Sequence, residues 1–590
     1  MVLLGIYLAT AAPDLTFWDA TEFMTAAHTL GIPHPPGTPV WVLLGKVASS
    51  LFGSATPPRA VTLLSVWAAA LTGGVAAAML TRWIGARGAV VAAVMGGTMF
   101  SVWNNATETE VYAVAMLASV VMLASGEYAG RHDVSAGQRR RARALVAFLA
   151  GLALPLHLSV LVALPAAVAF AWHGPRPTAP EVVAWGALAA LGASAVAILP
   201  MLSARHPFLD SGDPETLSSL VAVLRREQYA VAGLWPRRAP LWLQLGNLFQ
   251  WADWQVAFGV HPRPTASFGR TALSVAWAWL AVLGLQRVWR VEARVGRAMA
   301  VLLASATVGV ALWLNLQAGP SFGVGVLPAN AGHEARERDY FFALGFWGWG
   351  VLAGGGLTVL ATTLARRLPP PMAILPFALA LVPVVANRPV ADRTREPVAS
   401  LPRTYARLLL DAVPGGGVLI AAGDNDTFPL WYLQQVEDYR PDVTVVTVPL
   451  LGAAWYRAGL ARRGAYPRDQ ATAWPGLEGA LAHVMRTATA SRRPVRVSAL
   501  LSRRDRLRLA PASGWALQGL VYAPDTAAEA GRTTLDLRAL RRTREQVPPG
   551  ALAPLPRHAD PAASTTQELL QCASVQRLTD RLLVSGCGGV

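Results

Sequence analysis

The sequence predicts a mainly α-helical, polytopic membrane bundle followed by a smaller α/β domain. Three observations carry this. Of 590 residues, 53% are hydrophobic and 15% charged, against about a quarter charged in soluble domains. Apolar runs with polar breaks recur from residue 60 to residue 386. Beyond 387 none recurs, and two short β-branched segments, 417–422 and 443–448, flank a helical one at 430–437.

Met1 to Ala12 is apolar but short for a span, which takes roughly 20 residues. We expect it to be the end of a first helix whose beginning lies upstream of this start. Residues 13–59 read as a long first outer loop, with 40–44 lying in an interfacial helix. Apolar runs follow at 60–80, 89–102, 111–125, 144–172, 182–200, 271–285, 298–314, 341–364 and 372–386. The run at 144–172 is too long for one ordinary span. Pro155-Leu156-His157 sits in its middle, so it splits into two short helices meeting at a turn. About eleven helices result, counting the first. Residues 1–386 form the membrane domain, with a long outer loop at 201–270; residues 387–590 form the α/β domain.

Net charge is +16, from 51 Lys+Arg against 35 Asp+Glu, and Lys46 is the only lysine. This suits loops at anionic headgroups and a phosphate-bearing ligand better than nucleic acid. Arg82, Arg87 and the Arg131–Arg143 cluster mark cytoplasmic loops. The first loop, the turn at His157, the loop 317–340 and everything after 386 then lie outside. The two cysteines, Cys572 and Cys587, are too few for a metal cluster. They are expected to close a disulfide in the outer tail.

Asp19 and Glu22 follow the first apolar segment and share one face of a helical turn. A helix cap at Asp19 is the plain alternative. Carboxylates beside a bilayer are functional candidates by default. His333-Glu334-Ala335-Arg336-Glu337-Arg338-Asp339-Tyr340 closes an outer loop. Either it is an interfacial ion-pair network, or Arg336 and Arg338 clamp a lipid-linked phosphate while Glu337 and Asp339 fix the guanidinium groups. His34, Glu108, Glu110 and His157 fall on the same side. Asp424 and Asp426 follow a strand; a turn or an acceptor-binding role is the favoured reading, a divalent metal the weaker one. Asn105 and Asn425 begin short glycosylation-type triplets.

Phe17-Trp18-Asp19-Ala20-Thr21-Glu22-Phe23, Pro33-His34-Pro35-Pro36-Gly37-Thr38-Pro39, Arg336 to Phe341 and Gly423 to Gln434 together resemble a family of bacterial membrane proteins. That family was long filed as a domain of unknown function and is related to transmembrane protein O-mannosyltransferases. The resemblance runs to about Leu451. It implies a GT-C fold, a first-loop acid at Asp19, a polyprenyl-phosphate sugar donor and no nucleotide sugar; no cofactor is expected, a divalent metal being the weaker reading.

The expected function is an inverting membrane glycosyltransferase of the inner or plasma membrane. It moves a sugar, mannose favoured, to a hydroxyl acceptor such as protein Ser or Thr. Asp19 is the expected base, with Glu22 positioning the acceptor or sharing the proton. Arg336 and Arg338 meet the departing phosphate, and His34 and His157 are weaker candidates for phosphate or sugar. Trp18 would stack on the sugar. A transporter or flippase of a lipid-linked sugar is the alternative. It would need polar residues along the depth of the bundle, whereas the charged motifs gather at one face.

Overall fold

The computed structural model describes all residues except 53–56, 173–175, 230–232, 329, 368, 370, 371, 373, 556–560 and 575–590. It opens with α1 (Val2–Thr10), α2 (Asp19–Thr29) and α3 (Pro39–Phe52). The helix α3 exposes Leu43, Leu44, Val47, Leu51 and Phe52. At about 21 Å it is too short to span a bilayer, as expected of an interfacial helix. Next comes α4 (Pro57–Gly97), broken at Gly85, whose φ of 71° only glycine adopts freely. It therefore supplies both of the first two expected spans, and α5 (Phe100–Ala106) follows.

The helix α6 (Val111–Ala129) leads into α7 (Ala136–Leu156), which starts at a Ser135–Gln138 capping box. Pro155 and the extended backbone of His157 end α7. A 3-10 turn then leads to α8 (Leu164–Ala171). Arg143, near the start of α7, donates to the Ala171 carbonyl at the end of α8 (3.2 Å). The chain therefore reverses at His157, as the proline suggested.

The helices α9 (Ala179–Ala193) and α10 (Ile198–Ser203) form one apolar stretch with little burial. The long loop carries α11 (Leu217–Leu224) and α12 (Leu241–Trp254). Then come α13 (Phe268–Val291), α14 (Ala293–Ala304), α15 (Val310–Leu314), α16 (Ala343–Ala365) and α17 (Val382–Ala391). Among the described residues six helices are long and apolar enough to cross a membrane, with shorter apolar helices at Leu158–Ala171 and Leu375–Ala391.

After α18 (Leu401–Asp411), β1 (Val418–Ala421), α19 (Asp424–Val436) and β2 (Thr444–Thr447) form a parallel strand–helix–strand unit, with Val418 opposite Thr444. The helix begins six residues earlier than expected, because Asp424 and Asp426 form its first turn rather than a loop. The helices α20 (Ala454–Arg462) and α21 (Gly476–Ala490) precede β3 (Val495–Ser498). Three further strands, β4 (Gly514–Gln518), β5 (Val521–Asp525) and β6 (Thr533–Leu535), complete a mixed sheet of order β2-β1-β3-β5-β4-β6. The expected Cys572–Cys587 disulfide lies outside the described residues.

The sheet domain is clamped onto the bundle. Arg403 of α18 makes a two-pronged bond to Asp14 of the first loop (2.5 and 2.7 Å) and a third to Glu437 (2.7 Å). One continuous hydrophobic core runs through both parts.

Candidate active site

The helix α2 starts without a side-chain cap, which removes the capping reading of Asp19. Its carboxylate turns instead to a guanidinium: Arg336 Nη2 donates to Asp19 Oδ2 at 2.5 Å. A charge-assisted bond of this kind outcompetes a neutral backbone amide. Arg336 lies over the rings of Trp18 (5.1 Å) and Tyr340 (4.8 Å), and its Nε donates to Tyr340 Oη (3.2 Å). Arg338 Nη1 donates to the same oxygen at 2.5 Å, with its Nε 3.5 Å from Glu334. Trp18 thus already stacks against Arg336 on one face, so a sugar could stack only on the other.

Glu337 and Asp339 do not brace the arginines. Glu337 accepts from Trp251 Nε1 (2.8 Å) and the Ser321 amide (3.0 Å), and Asp339 bonds Ser101. The segment bends at Ala335 and Arg336 and turns into a 3-10 helix at Asp339, so the contacts of Arg336, Arg338 and Tyr340 gather on one side while Glu337 and Asp339 reach Trp251 and Ser101.

Glu22 is buried and bonded to His34 through both oxygens. His34 donates to it from its backbone amide (2.8 Å), and His34 Nδ1 lies 2.5 Å from Oε2. His34 thereby fixes the orientation of the Glu22 carboxylate. Burial alone would lower the pKa of His34, but the Glu22 carboxylate, with Asp19 behind it, raises it to about 9. Burial would raise that of Asp19. The Arg336 guanidinium and the charged His34 outweigh it and hold Asp19 below the usual carboxylate value. Glu110, buried at the mouth of α6, goes the other way: burial, then the Asp19 and Glu108 carboxylates, push it up to about 8. Asp19 and Glu110 are therefore two neighbouring carboxyls of opposite protonation at neutral pH.

His157 sits at the α7–α8 turn against the Tyr112 ring (4.9 Å), with Nδ1 2.7 Å from Ser159 Oγ. Glu108 is taken by Arg393 (2.8 Å). Asp426 is fully buried, accepting from Tyr405 Oη (3.0 Å) and the Ala422 amide (2.9 Å), a structural role. Asp424 stays at the site; burial, then the Asp19 and Glu22 carboxylates, push it up to about 6. Among the described residues no three His, Cys, Asp or Glu side chains converge as metal ligands. Asn105 is buried and donates to the Ser101 carbonyl (2.6 Å), and Asn425 accepts from the Trp18 amide (2.8 Å). Both triplets thus have internal work.

Sequence reading missed four participants. Tyr340 anchors two arginines, Tyr112 packs against His157 and Tyr340, and Asn425 holds Trp18. Arg226, from the long loop, acts on both His34 and His157, and its buried Nε has no hydrogen-bond partner among the described residues. A basic residue in a long loop carries little signal; only the fold brings it here. At the mouth His34, Arg226, Arg336 and Arg338 stand against Asp19, Glu22, Asp424 and Glu334, a balanced set whose guanidinium groups carry donors suited to phosphate.

With this geometry in view, the comparisons with known proteins are specific. The N-terminal domain of protein O-mannosyl-transferase TMEM260 matches residues 19–176, and TMEM260-associated domain 2 matches residues 402–470. Over these two segments the chain is similar to protein O-mannosyl-transferase TMEM260. The mouse protein O-mannosyl-transferase TMEM260 is 25% identical over 493 residues, 81% of this chain and 66% of its own length. The two matched segments meet at the site, since Trp18 precedes the first and Asn425 belongs to the second. In fold the chain is GT-C-like. ArnT from Cupriavidus metallidurans superposes in its apo state with a TM-score of 0.54 at 13% identity, over 89% of this chain and 96% of that one. The same protein bound to undecaprenyl phosphate gives 0.51 at 12% identity, over 89% and 97%.

Proposed function

We propose that this protein is an inverting membrane glycosyltransferase that moves a sugar, mannose favoured, from a polyprenyl-phosphate donor to a protein Ser or Thr hydroxyl. Transfer takes place on the outer face, where the C-terminal domain also lies. The observation that carries the reading is the 2.5 Å pair between Asp19 and Arg336, which joins the start of the chain to the loop before α16. The TMEM260 and ArnT relatives support the choice of reaction class and of a lipid-phosphate donor.

The acceptor oxygen attacks the anomeric carbon as the carbon–oxygen bond to phosphate breaks. Asp19 takes the hydroxyl proton as general base. Its lowered pKa keeps it ionised and ready. Once protonated it no longer neutralises Arg336, so that positive charge becomes available as negative charge grows on the leaving lipid phosphate. Arg338, Arg226 and His34 add to the same field. Protonated Glu110 contributes a hydrogen-bond donor without a competing charge.

The test is to incubate the purified full chain with labelled polyprenyl-phosphate-mannose, and separately with other lipid-linked sugars, plus Ser- and Thr-containing peptides. Label is expected to move to peptide from one donor. Movement of intact lipid-linked sugar across a vesicle membrane, with no transfer to any hydroxyl, would overturn the reading in favour of a flippase.

A further inference from the structure

We propose that a second site, at the opposite end of α19 from Asp19, binds an acidic side chain of the polypeptide that presents the accepting hydroxyl. This rests on the reading above of a protein acceptor. A cavity of about 500 Å³ is lined by Gln434 and Gln435 at the end of α19, Thr444 of β2, Phe208 of the long outer loop, Arg463 and Arg493. Arg463 lies over the Phe208 ring at 4.6 Å. Arg493 donates only to the Gly416 and Gly417 carbonyls (2.6 and 3.0 Å) and to Thr444 Oγ1 (2.6 Å). Among the described residues neither arginine has a carboxylate partner. The acid in the wall, Asp442, is already held by Arg440 at 2.9 and 3.0 Å and by the Gly416 amide at 2.9 Å. The cavity therefore holds two planar guanidinium groups whose charge nothing in the wall cancels. Such forks match a carboxylate in shape and sign. Burial lowers the pKa of both arginines, a cost that a resident anion would relieve.

Two features tie this cavity to the reaction. The first turn of α19 faces Asp19 and Glu22 through Asp424, and its last turn lines the cavity. Asp424 to Gln434 is a rise of about 15 Å, which an extended chain covers in about five residues. Phe208 also runs into Leu209, whose carbonyl accepts from the Ile32 amide (2.7 Å), and the Ser211 amide donates back to Ile32 (3.1 Å). Ile32 lies two residues before His34, so the cavity wall and the catalytic loop form one ribbon. The inferred acceptor is a polypeptide with Asp or Glu about five residues from the modified Ser or Thr.

The test compares two synthetic peptides of one sequence, each with a single Ser, carrying Glu or Gln five residues away. Binding to the purified full chain is read by fluorescence anisotropy without donor, and transfer is read separately with the lipid-linked sugar. Wild-type protein is expected to bind the Glu peptide about tenfold more tightly, the scale of one charge-assisted contact. Arg463→Gln is expected to erase that preference, so the peptide and protein changes are not additive. The binding arm needs no catalysis, so failure of transfer alone would count against the glycosyltransferase reading and not against this site. Equal binding of the two peptides by wild-type protein overturns the proposal. Inorganic phosphate binding that Arg463→Gln weakens, with no preference between the peptides, also overturns it and leaves a free-anion site.

Discussion

Trp18 carries a φ of 61°, in a region that costs a non-glycine residue about 1–3 kcal/mol. The hydrogen bond its backbone amide donates to Asn425 Oδ1 and its stacking on Arg336 hold it there, directly before Asp19. Asn425→Ala releases that hold and lets Asp19 shift. Misplacement on the ångström scale costs about 100-fold, so transfer is expected to fall about 10- to 100-fold with little change in Tm; an unchanged kcat would show that Trp18 needs no support. A pH effect follows from two neighbours that keep protons in the folded state. The contribution of His34 to stability is complete below its unfolded value of 6.5 and is lost as pH climbs through about 9. Glu110, raised from 4.5 to about 8, also makes the folded state bind more protons than the unfolded chain, so stability declines as pH rises through that window. Tm is expected to fall between about pH 6.5 and 9, with a shallower slope in Glu110→Gln. An identical slope in the variant contradicts this. Asp19 and Arg336 were legible in the sequence because charged residues are rare in so apolar a chain and so draw attention. That they pair with each other, and that Tyr340 rather than Glu337 anchors the arginines, was not. Those facts depend on how the bend and 3-10 turn before α16 aim each side chain and on a contact more than 300 positions apart.

At the scale of elements, α16 works through its glycines. A side chain at Gly350 would meet the backbone of Gly96 at 2.7 Å, and one at Gly356 would press on the backbone of α13 at Leu280 and Gly284. Bare faces of this kind let membrane helices approach closely. Gly354, against Ala92 of α4, is the most informative position because it lies well down the helix from Tyr340. Gly354→Leu is expected to destabilise the protein by about 1–3 kcal/mol through overpacking, read as a lower Tm in detergent. Wild-type stability would mean that α4 and α16 separate freely. The break at His157 was legible because proline interrupts a helix whatever the surroundings. β1 was legible because it lies between two strands, is buried on both faces and so reads as an apolar run. β6, three residues long at the edge of the sheet and partly exposed, leaves almost no pattern in the sequence.

At the scale of the molecule, charge is sorted to two ends. The helix α6 starts beside Glu110 and the Asp19 mouth. It ends at buried Glu127, which Arg131 meets at 2.7 Å, while Arg294 bridges Glu292 (2.5 Å) and the Phe170 carbonyl (2.5 Å). Nineteen residues of helix separate the two clusters by about 28 Å, close to the thickness of a bilayer core. With the native cysteines replaced, a cysteine at His333 is expected to react with an impermeant thiol reagent from outside intact cells. One at Arg141 is expected to react only after permeabilisation. Labelling of both from the same side would break the proposed topology. The central claim is that Asp19 is the base and Arg336 its switchable counter-charge, and Asp19→Asn tests it most directly. The amide keeps the shape and removes the basicity. In the lipid-linked sugar assay the account predicts a folded protein with kcat down at least about 100-fold, the low end for loss of a general base. Turnover at the wild-type rate in that variant would contradict it.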